Sequence, residues 1–506
     1  MATTSENMIE IEQKYAVDEA TPLPLLHELP GVDRVEQPVE HRLEAVYFDT
    51  QGLVLAANRI TLRRRTGGDD AGWHLKLPEG SDGRREIREP LGEDPELVPK
   101  PLLQWVRVYV RDEALAPIAR LQTRRVVHRL RGTDGILADV SDDHVRAETL
   151  GPGAGSTQWR EWEIELVDGQ RELLESAQAM FAEAGVRPAP HESKLAHALG
   201  DRPLEAEPEA PQPRRKGAAA DVVLAYLHQQ VSQLKLQDPQ VRHDVPDALH
   251  QMRVATRRMR SSLATYRKLL DTNTVNQLRD ELKWLAGVLG AARDAEVMHD
   301  RLRGLVSLEP AELVMGPVER RIDLELESDY NTAHANVLEV LDQQRYFRLL
   351  DALESLLAEP PLTDLASKPA HKVVPKLVKH DMKRLRKAVK ATENLTDPGN
   401  EDPALHETRK CAKRLRYAAE AAEPVGGKRA ARLAEAAHTV QKVLGDHQDS
   451  VVDRGLLQRL GGNAFLAGEN GFTFGRLHGL EQAAAARSEA KFRRKWDKFP
   501  SASLKK

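Results

Sequence analysis

A change of hydrophobic period near residue 200 constrains this chain more than any other feature. Before it, short runs such as IEIEQKYAV, EAVYFDT, ITLRRRT, WHLKLP, ILADVS and REWEIELV alternate apolar and polar residues between Gly and Asp turns. That is the period-two pattern of antiparallel strands. After it, apolar residues recur at helical spacing in long segments rich in Ala, Leu, Glu, Arg and Lys, as in amphipathic helices. The two halves meet in GDRPLEAEPEAPQPRRKG at 200–217, which has no apolar periodicity and reads as a linker. The expected class is α+β, with a β domain over 1–200, a linker over 201–217, a helical domain over 218–495 and a basic tail over 496–506.

A chain of 506 residues is long enough for two or three separate cores. With 41% hydrophobic and 30% charged residues it has the composition of a globular protein. No apolar run approaches the roughly 20 residues that cross a bilayer, so no membrane span is expected. The start MATTSENMIE lacks a secretory pattern and Cys411 is the single cysteine, which together point to the cytoplasm. The net charge of -4 argues for no polyanionic partner by itself, yet the basic residues are concentrated. Residues 249–268 contain six Arg or Lys and no acid, and residues 371–390 contain eight against Asp381 alone.

The helical half repeats itself. LHQMRVATRRMR at 249–260 aligns without gaps on LHETRKCAKRLR at 405–416, pairing His250 with His406, Arg253 with Arg409, Arg257 with Lys413 and Arg260 with Arg416. LGAARDAEV at 289–297 matches LGDHQDSVV at 444–452 at nearly the same offset. Two copies with a period far beyond solenoid lengths predict a pseudosymmetric pair of helical bundles.

On a strand, alternate side chains share a face. Glu10, Glu12 and Lys14 therefore point one way, as do Arg63 with Arg65, and Glu161, Glu163 and Glu165. An ordinary solvated sheet face accounts for any one of these strands taken singly. Together they supply what a triphosphate site needs: many cations for the phosphates and oxygen ligands for a divalent metal. The set ExExK at 10–14, YFDT at 47–50, LRRR at 62–65, LKLP at 75–78, Arg84 with Glu86, Glu163 with Glu165, and Ser193-Lys194 resembles the CYTH, or triphosphate tunnel metalloenzyme, family. The resemblance implies a closed antiparallel β tunnel. In it Lys14, Arg63, Arg65, Lys76, Arg84, Arg125 and Lys194 bind substrate, and Glu10, Glu12, Asp142, Glu163 and Glu165 hold Mg²⁺ or Mn²⁺. Glu10, Glu12 and Lys14 are its implied catalytic group, and a metal-activated water its implied nucleophile. The late aspartate could be Asp139, Asp142 or Asp143, with Asp142 favoured, and Arg124 competes with Arg125.

At about 100° per residue, His250, Arg253, Arg257 and Arg260 fall within an arc of roughly 80°, apart from an apolar stripe of Met252, Ala255, Met259, Leu263 and Tyr266. His406, Arg409, Lys413 and Arg416 repeat the plan, with Cys411 at a core position. A single basic stripe is usually solvated surface; two copies of the same crowding point to an external anion. His250 with RVATRRMR, LGAARDAEV, RYFRLLDAL at 345–353, His406 with RKCAKRLRY, and VLGDHQD at 443–449 resemble the CHAD, or conserved histidine α-helical, domain. That resemblance implies a groove between two bundles that binds inorganic polyphosphate through these eight stripe residues. Arg293 and Asp294 are expected to pair with each other, because Gln448 replaces the arginine in the second copy.

The expected function is metal-dependent hydrolysis of inorganic triphosphate, or of a relative such as thiamine triphosphate or ATP, beside a polyphosphate-binding helical domain. The alternative is a noncatalytic polyphosphate receptor on storage granules. Nucleic acid is also a phosphate polyanion, but the stripes carry few aromatics for stacking and no helix-turn-helix or zinc-finger pattern is present.

Overall fold

The computed structural model describes residues 7–80, 83–151, 153–202, 204, 208–394, 401–501 and 504, with the backbone alone at 7–10. It divides into two compact units, 1–207 and 208–506. No helix among the described residues is long and apolar enough to cross a membrane.

The first unit is built on one antiparallel sheet. Its strands are β1 (Asn7–Glu10), β2 (Glu12–Val17), β3 (Arg34–Val35), β4 (Val39–Asp49), β5 (Thr61–Thr66), β6 (Gly72–Glu79), β7 (Gly83–Glu89), β8 (Ala116–Arg131), β9 (Ile136–Thr149), β10 (Gly155–Leu166) and β11 (Arg187–Pro188). The hydrogen-bonded order is β1-β7-β6-β5-β4-β8-β9-β10-β2-β11, with β3 on β8. β1 pairs with β7 and β2 with β10, yet only Ile11 separates them in the chain. One N-terminal segment thus serves both ends of the ribbon, which curls the sheet back on itself.

Strand parity decides what each face carries. The outer face is apolar where helices α2 (Lys100–Val110) and α3 (Arg171–Glu183) cover it. Trp162 and Ile164 of β10 pack against Leu173, Leu174, Ala177 and Phe181 of α3. Trp73, Leu75 and Ile87 of β6 and β7 pack against Leu102, Trp105 and Val106 of α2. The inner face carries the alternate, charged residues, so the polar faces expected on the strands are enclosed and not solvated. Two short helices complete the unit, α1 (Val54–Ala57) and α4 (Lys194–Leu199). Asp49 of the YFDT motif is buried and accepts hydrogen bonds from the amides of Thr50 (2.7 Å), Leu55 (2.9 Å) and Ala56 (2.9 Å). It orders the turn into α1, as an N-terminal helix carboxylate does.

The second unit contains α5 (Ala219–Arg242), α6 (Ala248–Tyr266), α7 (Thr272–Ser307), α8 (Val318–Leu341), α9 (Gln344–Ala358), α10 (Ala370–Glu393), α11 (Glu401–Ala421), α12 (Glu423–Gly426), α13 (Lys428–Leu466) and α14 (Phe472–Trp496). The duplication is visible in the backbone: Ala219 N donates to Lys368 O and Ala370 N to Gly217 O, each at 2.9 Å, so the starts of α5 and α10 mirror each other. The repeats are also joined where α6 meets α11. Tyr266 Oη donates to Ala418 O (2.9 Å), and Arg414 Nη2 to Ala264 O (2.7 Å). Met252, Ala255, Met259, Leu263 and Tyr266 are all buried, which turns the basic stripe of α6 away from the core. Cys411 is buried as well, and burial pushes its thiol up to about 11. Such a thiol is an inert core group.

Candidate functional site

The inner face of the sheet encloses a cavity of about 90 Å³. All seven cations expected to bind substrate line it: Lys14 from β2, Arg63 and Arg65 from β5, Lys76 from β6, Arg84 from β7, Arg125 from β8 and Lys194 from α4. Lys194 arrives by local design. Ser193 caps α4 by accepting from Ala196 N (3.1 Å), and Leu195 and Leu199 bury against Tyr47, Leu121, Val145 and Ala147. The helix thereby seats in the sheet's concave side with its first residue facing the cavity.

Opposite the cations stand buried carboxylates. Lys194 Nζ lies 2.8 Å from Asp143, 2.7 Å from Glu161 and 2.7 Å from Glu163. Arg125 grips Asp143 through Nε at 2.8 Å and Nη2 at 2.6 Å, and also contacts Glu163. Lys14 joins Glu163 to Glu12, 2.8 Å from the latter. Burial opposes each of these charges, but the partners outweigh it: Lys14, Lys194 and Arg125 hold Glu163 well below the usual carboxylate range, and Lys14 and Lys76 hold Glu12 at about 2. Glu165, with less compensation, is pushed up by burial. The oxygens of Asp143, Glu161 and Glu163 approach within 4.8 Å of one another, a set able to hold a metal ion.

Glu86 forms a second hub. Its carboxylate is buried with His74 Nδ1 at 2.9 Å, Lys76 Nζ at 3.8 Å and Arg63 Nη2 at 3.9 Å, and it also pairs with Arg88. Burial, Arg63 and Arg125 push the Arg65 guanidinium down to about 9. Asp70, from the loop after β5, pairs with Arg65.

The structure corrects one expected ligand. Asp142 lies on the outer face, where Arg160 clasps both its oxygens at 2.8 Å; Asp143 is buried on the inner face against Arg125 and Lys194. The register sets Asp143 opposite both Arg125 and Glu161, and a shift of one residue changes face. Arg124 points outward to Glu40, while Arg125 faces in. Glu161 was visible from parity as sharing the face of Glu163, but nothing in the chain alone showed that it would meet Asp143. The side chain of Glu10 lies outside the described residues.

In the helical unit, the two stripes converge on a groove of about 490 Å³. His250, Arg253 and Arg257 face His406, Arg409 and Lys413 across it. The repeats share a local device. Arg253 lies over Gly290 and reaches Asp294 (2.9 Å); Arg409 lies over Gly445 and faces Asp449 (3.7 Å). The glycine of each LG motif leaves the room a guanidinium occupies, with Nη2 3.5 and 3.4 Å from where a Cβ would stand. Arg293 pairs with Glu296 (2.8 Å) and not with Asp294, because the neighbouring arginine has already taken that aspartate. Arg293 and Arg301 also line the groove.

Arg260 and Arg416 do not line it. Arg416 turns to Glu420 at 2.6 Å, and Arg260 sits nearer Arg279 and Asp280. Lys413 is pushed down to about 7 by burial and by Arg409, Arg257 and Arg253. Between pH 7 and its ordinary range this lysine is neutral in the folded protein and protonated in the unfolded one. The cost of charging it is therefore full below pH 7 and relieved as pH rises. A polyanion held in the groove would restore the charge, so its binding at pH 8 would take up about one proton and weaken as pH rises towards 10. Calorimetric titration in buffers of different ionisation enthalpy checks this, and Lys413→Met should abolish the uptake.

The CYTH domain family matches residues 8–197 and the CHAD domain family residues 225–458. Two uncharacterized Mycobacterium tuberculosis proteins, from strains CDC 1551 / Oshkosh and ATCC 25618 / H37Rv, are each 43% identical over 497 residues, covering 95% of this chain and 94% of their own. Among solved structures, the CHAD domain from the plant Ricinus communis aligns with 24% identity over 58% of this chain and 96% of its own, at a TM-score of 0.45. A Hippeastrum protein described as having a dominant triphosphatase activity aligns with 22% identity over 39% of this chain and 99% of its own, at a TM-score of 0.22. CYTH domains are metal-dependent and bind triphosphate substrates. With these relatives matched along nearly their whole length, the chain belongs to the proteins that carry a CYTH domain followed by a CHAD domain.

Proposed function

We propose that the first unit hydrolyses inorganic triphosphate, or a related triphosphate, and that the helical unit binds inorganic polyphosphate. The observation that carries the reading is the meeting of seven cations around one small cavity with Glu163, whose oxygens lie within 4.8 Å of those of buried Asp143 and Glu161. A triphosphate brings several negative charges and needs such a cradle. Asp143, Glu161 and Glu163, with Glu12 nearby, offer the hard oxygen donors that suit Mg²⁺ or Mn²⁺. When bound, the metal would neutralise charge on the phosphates and lower the pKa of a coordinated water. Lys14, Arg125 and Lys194, now paired with those carboxylates, would then turn to phosphate oxygens. Arg63, Arg65, Lys76 and Arg84 on the opposite wall would hold the rest of the substrate in line.

Phosphate release from inorganic triphosphate is expected with Mg²⁺ or Mn²⁺ and is expected to fall to background in EDTA. Release that ignores the chelator, or none with either metal, rejects the reading. A second reading, in which both units only bind polyphosphate, is favoured by one observation: every carboxylate of the candidate metal group already has a cationic partner. Tight triphosphate binding without turnover would support it.

A further inference from the structure

Helix α10 carries a charged surface that neither the cavity nor the groove uses. Lys372, Lys376, Lys379, Lys383, Lys387 and Lys390 are all exposed. At about 100° per residue they fall within an arc of roughly 80°, and at about 1.5 Å per residue they form a straight row some 27 Å long. No carboxylate among the described residues pairs with any of them. The acids on the helix are Asp381, buried and held by Arg414 (2.9 Å), and Glu393 at its end.

The duplication shows that the fold does not require this row. The mirrored hydrogen bonds align Ala219 with Ala370, which sets Val222 and Val223 of α5 against Val373 and Val374 of α10, and Leu234 against Leu385. All six are buried. At the places of the six lysines α5 has Asp221, Ala225, His228, Ser232, Leu236 and Pro239. These buried positions agree between the copies, whereas none of the six places carries a Lys or Arg in α5, and Pro239, opposite exposed Lys390, is buried there.

We propose that this face of α10 is a docking surface for the phosphate backbone of a nucleic acid duplex, bound without regard to sequence. The row is straight and stiff, and it suits a partner that is itself stiff and carries phosphates at high, fixed density. A duplex carries one charge per about 1.7 Å of its axis on strands that wind around it, so a straight row of about 27 Å meets only the few phosphates that turn towards it. A flexible phosphate chain would have to be straightened to lie on such a ridge, whereas the groove surrounds its ligand from two sides. A bilayer is disfavoured because no exposed large apolar side chain stands among the lysines to enter it. Lysine supplies point charges without the planar fork of arginine, and the row includes no aromatic ring, so it reads charge and not bases.

The test uses the full chain, two fluorescent DNA duplexes of unrelated sequence, labelled polyphosphate and phosphatidylserine vesicles. Wild-type protein is expected to bind both duplexes alike, with a slope of log affinity against log salt between about -3 and -5. Lys372→Gln, Lys376→Gln, Lys379→Gln and Lys383→Gln combined should make that slope shallower by up to about 3.6. The same four positions as arginine should retain binding, and polyphosphate affinity should not change. The proposal is overturned if wild-type protein shows no duplex binding or a slope shallower than about -2. It is equally overturned if the glutamine variant binds duplex unchanged, or if its loss falls on polyphosphate or vesicles instead.

Discussion

Glu163→Gln is expected to lower metal-dependent phosphate release by roughly 10²–10³-fold, the loss typical when one preorganised electrostatic group is removed from a reaction site. The physical case rests on its position. Glu163 meets Lys14, Arg125 and Lys194 at once, and it belongs to the carboxylate group able to hold a metal. Glutamine keeps the shape and removes the charge, so the metal loses an anionic ligand while the surrounding cations lose a counter-ion. Turnover and grip should therefore separate: kcat falls, while metal-free triphosphate binds more tightly because the cavity has become more positive. A purely structural glutamate would give no such split. The substitution should also destabilise the first unit by about 3–5 kcal/mol, since it leaves buried cations undercompensated. Kinetics at saturating metal, metal-free triphosphate titration and thermal unfolding together check the prediction; unchanged kcat would defeat it.

In the helical unit, Arg253→Gln with Arg409→Gln should weaken polyphosphate binding by roughly 10²–10⁴-fold. Hydrogen bonds to charged groups contribute about 1.5–3 kcal/mol each, and each tenfold in affinity is about 1.4 kcal/mol. Removal has a second consequence. Asp294 and Asp449, neighbours of these arginines in the groove, would be left to repel the anion. Fluorescence titration with labelled polyphosphate at fixed salt measures the change, and an affinity within twofold of wild type would show that the groove is not the site. Arg416→Gln makes a matched control, because that arginine is already engaged by Glu420 and lies outside the groove.

Both sets of residues were legible in the chain to different degrees. Strand parity placed Glu12 with Lys14, Arg63 with Arg65, and Glu161 with Glu163 on common faces, because side chains alternate whatever the strand's neighbours are. It could not choose among Asp139, Asp142 and Asp143. That choice depends on which residue stands opposite Arg125 and Glu161. Helical periodicity likewise set His250, Arg253 and Arg257 on one side of α6, but it gives an angle around the axis and not a reach along it. Arg260, in the same arc, falls outside the groove, and Arg416 is taken by a glutamate one turn away.

What the sequence determined by itself was the pair of periods, the duplication and the facing of each charged residue on its own element. These are local properties, set by backbone geometry and by which residues must leave water. Only the tertiary structure decided that the charged strand faces turn inward, that Asp143 and not Asp142 joins Glu163, and that Arg253 and Arg409 each lie over a glycine of the following long helix. Those outcomes depend on sheet register and helix packing between segments far apart in the chain. There one residue of shift, or one competing carboxylate, changes which groups meet.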